Sequence, residues 1–416
     1  MIYHFSKYTQ IVENNNKVVL GNRLNGEWIR ISKEVYNILE MGIKNKLSIS
    51  ELINCLYDND DKNYLKSLYK DMCMLGIIED DTHQNIAYNK LVSFEMTHRC
   101  NLHCIHCCVS ADTLNSKDKD LSTEICKDII NKMSKWNPKS IMLSGGEPMV
   151  RTDFFELLLY LKSIYNGNII LSTNGLLISE ENVDILTKCV TSMSISLDGA
   201  DEESCSMIRG HGVFNKVIKN IQLLKKNNFK RISVSMTISP KTEHLEGKFY
   251  ELNKSLGTTP LIRDFSPVGR GRDNYLAFTD DGLDKVFISK KFLSDDYSKP
   301  IGVSSCGAGT RELLIRYNGD IYPCMSLSSQ KFKLGSILEI KSLSEVVKKT
   351  MDFIDFNTVL QSLDYKYKQR CKQCKVNLFC WTCPGSFQEY KGNIKAFEDR
   401  CNKLKPILYK RVWESE

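Results

Sequence analysis

The stretch Cys100-Asn101-Leu102-His103-Cys104-Ile105-His106-Cys107 decides how the rest of the chain is read. Its three cysteines, separated by three residues and then by two, set three thiolates on one short loop. Iron–sulfur cubanes are held by cysteine thiolates, and three of them leave one iron open to a small-molecule ligand. Zinc, with His103 or His106 as a fourth ligand, is the other use of the same donors. Cys108 follows Cys107 directly and faces another way, so it reads as a spare thiol rather than as a fourth ligand.

Around this loop, short apolar runs alternate with amphipathic stretches. Strands are expected at Val92–Met96, Ser140–Leu143, Asn168–Ser172, Ser192–Leu197, Arg231–Thr237 and Pro260–Phe265. Helices are expected between them, at Thr123–Lys135, Thr152–Ser163, Glu180–Lys188, Val213–Lys226 and Thr242–Leu256. The alternation predicts an α/β fold, a parallel sheet forming a partial (β/α)6 barrel. Sites in such folds lie at the C-terminal strand ends. The unusual residues fall there: Cys100–Cys107 after the first strand, Gly145–Pro148 after the second, Thr173–Gly175 after the third and Asp198–Gly199 after the fourth.

The chain of 416 residues is too long for one ordinary domain. Residues 1–85 read as a small winged-helix-like α+β unit. Strand pieces at Tyr8–Glu13, Lys17–Leu20 and Glu27–Ile31 precede helices begun by Ser32 and Ser48 and a third over Lys62–Leu75, stopped at Gly76. Residues 92–300 form the central domain and 301–416 a C-terminal module organised around metal. The net charge of +7 is spread along the chain, which argues against a nucleic-acid partner. No secretory signal and no run of about 18 apolar residues is seen, so a cytoplasmic protein with no membrane association is expected. Sixteen cysteines in that setting read as metal ligands rather than disulfides. Cys306, Cys324, Cys371, Cys374, Cys380, Cys383 and Cys401 exceed the needs of one zinc or one cubane, so two further sites are the economical count. Cys55, Cys73, Cys126, Cys189 and Cys205 are expected to be small apolar residues.

The triad followed by Ser144-Gly145-Gly146-Glu147-Pro148 resembles the radical S-adenosylmethionine (SAM) superfamily over about residues 92–300. The resemblance implies that Cys100, Cys104 and Cys107 hold a [4Fe-4S] cluster whose open iron is chelated by SAM. Reductive cleavage of SAM then yields a 5′-deoxyadenosyl radical that abstracts a hydrogen atom. It also implies that Gly145 and Gly146 let backbone approach a ligand closely. Glu147 is to accept from the SAM ammonium, and Pro148 to stiffen the turn. Thr173, Asn174 and Ser196 are to line the ribose and methionyl region, and Arg209 to pair with the SAM carboxylate. Asp198 is to contact substrate or to cap the turn before Gly199.

The C-terminal cysteines resemble the SPASM extension of these enzymes, which carries two auxiliary [4Fe-4S] clusters, making three clusters in all. This implies Cys306, Cys324 and Cys383 on the first, and Cys371, Cys374, Cys380 and Cys401 on the second. Cys380 and Cys383 are separated by two residues where the family has three, so the division around Cys383 stays open. Residues 1–85 resemble the PqqD-like recognition element, in which a leader peptide adds to a sheet edge, here Glu27–Ile31, beside the third helix. Together these features resemble radical SAM maturases of ribosomally made peptides. The implied partners are a precursor peptide with a leader and a flavodoxin- or ferredoxin-type reductant. The favoured product is a thioether from a cysteine sulfur to carbon. A carbon–carbon crosslink, a residue oxidation, formylglycine formation in a sulfatase, and a non-enzymatic iron–sulfur peptide scaffold are the alternatives.

Overall fold

The computed structural model describes residues 2–80, 89–111, 120–282, 285–350, 365–380, 383–389 and 392–415. They divide into two units. One contains 2–80, 293–307 and the described residues from 365 onward; the other contains 89–292 and 308–350.

The first unit is built around a strand buried on both faces, where Val18, Val19 and Leu20 have no exposed surface. Its elements begin with β1 (Tyr3–Phe5), β2 (Thr9–Asn14), β3 (Lys17–Asn22) and β4 (Trp28–Ser32). Helices α1 (Lys33–Lys44), α2 (Ile49–Asn54) and α3 (Asn59–Met74) and strand β5 (Ile78–Asp80) follow. Strands β2, β3 and β4 form an antiparallel sheet with β4 at its edge, in a register that sets Val18 opposite Ile31 and Leu20 opposite Ile29. The helix starts obey the cap residues. Ser32 accepts from the Val35 N–H, and Ser48 and Glu51 form a capping box. Asp58 caps α3, so it starts earlier than its apolar spacing suggested. Strands β1 and β5 pair antiparallel and were not anticipated, because three residues each are too short to show alternation.

Residues from the far end of the chain complete this unit. The Trp28 indole donates to Ile301 O at 2.7 Å and meets Phe379 edge-on at 5.0 Å between ring centroids. Arg30 donates to Val412 O, and Lys17 to Trp413 O. By contacts, 308–350 extends the central sheet, while the described residues from 365 onward group with the first unit. The expected boundary at residue 85 lies outside the described residues.

The second unit carries six parallel strands, β6 (Leu91–Glu95), β7 (Ser140–Ser144), β8 (Asn168–Thr173), β9 (Ser192–Ser196), β10 (Ile232–Ile238) and β11 (Thr259–Asp264), neighbours in chain order. Helices α4 (Thr123–Lys135), α5 (Phe154–Ile164), α6 (Val183–Cys189), α7 (Glu202–Arg209), α8 (Val213–Lys226) and α9 (Glu246–Leu256) connect them. Parallel strands covered by crossover helices read as continuous apolar runs. Phe94, Ile141, Leu143, Ile169, Leu171, Ile195 and Val234 are accordingly fully buried. Helix α7 was not anticipated. Its signal is polar, an Asp201 cap that accepts from the Ser204 N–H while Ser204 bonds back.

The sheet continues past β6. Strand β12 (Glu312–Ile315) pairs parallel with β6, and β13 (Asp320–Tyr322) and β14 (Gly335–Ser336) follow antiparallel. Cys126, Cys189 and Cys205 are buried as expected of apolar residues, whereas Cys55 and Cys73 are exposed. Among the described residues no helix is long and apolar enough to cross a membrane.

Phe154 is fully buried at the start of α5. Phe154→Ala is expected to destabilise the second unit by about 3–5 kcal/mol, read as a lowered midpoint in urea unfolding.

Candidate functional site

The strand ends of the second unit gather the triad. The loop after β6 carries Cys100 and Cys104, both buried, and the half-buried Cys107. Burial pushes the Cys100 thiol up to about 11, and the Cys104 thiol is raised for the same reason. Thiols held this way lose their protons to a metal rather than to water, and the donor set suits one. Among the described residues no three His, Cys, Asp or Glu side chains converge on a point where one ion would sit. A cubane places each cysteine on a different iron, so cysteines around a cluster need not converge.

The glycine turn after β7 lies against this loop. Gly146 N–H donates to Thr97 O and Glu147 N–H to Arg99 O, both at 2.9 Å. A Cβ on Gly146 would stand 2.2 Å from Arg99 O, and one on Gly145, whose φ is +139°, 2.4 Å from Thr97 O. Both glycines thus approach closely the backbone that leads into the triad. Pro148 opens a short 3-10 turn.

Glu147 is fully buried. Its carboxylate accepts from the Thr173 hydroxyl, the Asn174 N–H and the Met149 N–H. Burial raises its pKa to about 7 against these donors. Asn174 then reaches back: its Nδ2 donates to Asn101 Oδ1 at 2.7 Å and stands 3.8 Å from Cys100 Sγ. Thr173 and Asn174 thus tie the end of β8 to the triad loop. Ser196 ends β9 and is partly exposed.

Asp198 sits after β9 with φ +55°, a left-handed conformation that Asp tolerates better than most residues. It is buried. Oδ2 accepts from Arg209 Nε at 2.7 Å and faces His106 Nε2 at 2.8 Å, while Oδ1 accepts from the Thr237 N–H at 2.6 Å. Burial opposes its ionisation, yet Arg209 and His106 hold it well below the usual carboxylate range. The Arg209 fork, expected on a SAM carboxylate, is engaged by Asp198 through Nε and Nη2, and its Nη1 stands 3.7 Å from Cys104 Sγ.

Sequence reasoning weighed His106 only as a zinc ligand, and the structure gives it to Asp198. It assigned no role to Arg270, which clamps the triad loop by donating to Cys104 O and Ala111 O and, from its backbone, to Cys107 O. Gly269, with φ +54°, permits this, because a Cβ there would stand 2.5 Å from Cys107 O.

In the first unit, Cys371, Cys374, Cys380 and Cys401 line one cavity of about 140 Å³. Cys306 and Cys383 belong to the same unit, and Cys324 to the second, just after β13. Cys108 is exposed.

Comparison with known proteins agrees with this geometry. Residues 94–247 match the model of the radical SAM superfamily, and residues 306–375 match that of an iron-sulfur cluster-binding domain called SPASM. The chain is 32% identical over 280 residues to the mycofactocin maturase MftC of Mycobacterium tuberculosis, covering 63% of this chain and 71% of that protein. The chain belongs to the radical SAM superfamily. It is therefore an enzyme of the radical SAM type with a SPASM domain, and both families bind [4Fe-4S] clusters, the first together with SAM. A further relative is the AdoMet-dependent heme synthase of Methanosarcina barkeri, 33% identical over 188 residues, which cover 44% of this chain and 53% of that one. Among solved structures, Streptococcus suis SuiB bound to precursor peptide SuiA shares the fold with a TM-score of 0.51 at 15% identity, covering 91% of this chain and 94% of that one.

Gly146→Ala is expected to displace the triad loop and abolish loading of its cluster. Gly247→Ala, where a Cβ meets nothing within 4 Å, should load normally. Iron and sulfide content and cluster absorbance after reconstitution read the difference. In protein free of cluster and SAM, the raised Glu147 pKa makes a contribution to stability that is full below about pH 4.5 and is lost as pH rises through about 7. Glu147→Gln is expected to remove a pH dependence on the order of 3 kcal/mol, measured by denaturant unfolding across that window.

Proposed function

We propose that this radical SAM enzyme matures a ribosomally synthesised peptide by forming a thioether from a cysteine sulfur to a carbon of the same peptide. The observation that carries the reading is the first unit. A three-stranded sheet with β4 at its edge stands with three helices, in the unit whose cysteines line a cluster-sized cavity. An edge strand is a template for an added peptide strand, in which backbone bonds give affinity and side-chain pockets give selectivity. The SuiB fold, which covers nearly the whole chain and has been seen with a precursor peptide, and the maturase relative support the same reading.

On this reading the leader lies along β4 beside α3. Cys100, Cys104 and Cys107 hold the SAM-binding [4Fe-4S] cluster. Cys371, Cys374, Cys380 and Cys401 hold an auxiliary cluster, and Cys306, Cys324 and Cys383 another, which makes three. When bound, SAM and its reduced cluster would supply a 5′-deoxyadenosyl radical that takes one hydrogen atom from a peptide carbon; bonding of that carbon to the cysteine sulfur releases the thiol proton to solvent and one electron, which an oxidised auxiliary cluster would accept.

The chain's own residues prepare that site. Arg270 and Asn274 fix the triad loop through its carbonyls. Glu147 orients Thr173 and Asn174, and its carboxylate would accept from the SAM ammonium. Gly145, Pro148 and Ser196 shape the SAM walls. Asp198 aims Arg209 at the Cys104 side. A flavodoxin- or ferredoxin-type protein supplies the electron.

The test incubates reconstituted enzyme anaerobically with SAM, dithionite and the small peptide encoded beside its gene. The expected outcome is 5′-deoxyadenosine and a peptide lighter by two hydrogen atoms, with one cysteine no longer alkylated by iodoacetamide. A lighter peptide whose cysteines all still alkylate would replace the thioether by another crosslink. A hydrazide-reactive product would mean formylglycine, and an unchanged peptide would refute the maturase reading.

A further inference from the structure

The cavity lined by Cys371, Cys374, Cys380 and Cys401 has a one-sided charge. The ionic side chains on its wall other than the cysteines are all cationic: Arg370, Arg400 and Lys405. The carboxylates preceding Arg400 on helix Ile394–Tyr409 are engaged elsewhere. Glu398 accepts from the Tyr367 hydroxyl at 3.1 Å, and Asp399 pairs with Lys403 at 2.6 Å.

Arg400 is also directed at a single ligand residue. Its Nη1 donates to Cys380 Sγ at 3.2 Å and its Nη2 to Cys380 O at 2.6 Å. Arg370 lies 5.1 Å from the ring centre of Tyr367 and 5.5 Å from that of Phe397, which fix it on the same wall. Asn377 lines the cavity too, and its Oδ1 is buried without a hydrogen-bond partner among the described residues.

A cubane held by four thiolates is anionic, and reduction adds one more negative charge. Donors to the sulfurs and cations at the wall stabilise the reduced form more than the oxidised one. Hydrogen bonds to sulfur and net charge are levers that set cluster potential, and partners behind the ligands share in it.

We propose that Arg400 is a positioning residue for the auxiliary cluster of these four cysteines, fixing the Cys380 thiolate and raising the reduction potential of the cluster. This rests on the ligand assignment made above. The step concerned is a transfer of one electron onto the oxidised cluster, from dithionite in the test or from the flavodoxin-type donor. No bond breaks and no proton moves.

The test uses the full chain, reconstituted with iron and sulfide, in a dithionite titration followed by electron paramagnetic resonance. Cys371→Ala/Cys374→Ala identifies the signal of this cluster by its loss. Arg400→Gln is expected to keep the iron and sulfide content and to lower the one-electron reduction constant of that signal at least tenfold, equal to about 59 mV. Arg400→Lys, which keeps the charge and loses the fork, should lie between the two. An unchanged potential in an iron-replete Arg400→Gln protein would overturn the proposal. Loss of the cluster from both Arg400 variants would overturn it in favour of a role in assembly alone. Unchanged iron and spectra in Cys371→Ala/Cys374→Ala would refute the ligand assignment instead.

Discussion

The second unit depends on the contact between two backbones, that of Gly145–Gly146 and that of Thr97–Arg99. No side chain fits between them, since a Cβ on either glycine would fall inside van der Waals contact with a carbonyl oxygen. Two hydrogen bonds fasten the turn to the residues entering the triad. From there the ties run across the strand ends. Glu147 joins the turn to Thr173 and Asn174, and Asn174 returns to Asn101 beside Cys100. Asp198 makes the corresponding link on the other side, from Thr237 at β10 to Arg209 and His106. The triad loop is thus a shared edge of several loops, each fixed by a buried polar group that the others satisfy.

This arrangement resolves an electrostatic difficulty. Three thiolates and two buried carboxylates in one place would repel each other and lack solvation. Asp198 is compensated by Arg209, whose remaining amine faces Cys104. Among the described residues Glu147 has no cation in contact, Arg209 acts on it only from a distance, and its raised pKa records the cost of burial. A cationic ligand beside it would reverse that shift, so the least comfortable charge in the site is also the one best placed to select a ligand of opposite sign.

Much of this was legible in the sequence, and the exceptions share a cause. The six strands, most of their helices and the caps at Ser32 and Ser48 are local signals, and the structure keeps them within a few residues. The triad and the glycine turn were legible as motifs. That Asp198 lies beside Arg209, and the Arg99 backbone beside Gly146, has no local pattern to show it. Strands β12–β14 and the staple by Arg270 depend on partners far along the chain. Short elements such as α7 and β1 carry too few residues for a periodic signal.

Long-range pairing also explains how the first unit is specified. The edge strand β4 takes its packing from residues hundreds of positions away: the Trp28 indole on Ile301 and Phe379, and Arg30 on Val412. Phe379 immediately precedes Cys380, and Ser304 N–H donates to Leu378 O in the same short helix. Binding of a metal cluster contributes folding energy to the segment that holds its ligands. The short helix that carries Cys380 also carries Phe379, which meets Trp28 of β4 edge-on. A small sheet alone is marginal. Here it is braced by Phe379, next in sequence to the cavity-lining Cys380, and by Ile301 and Val412.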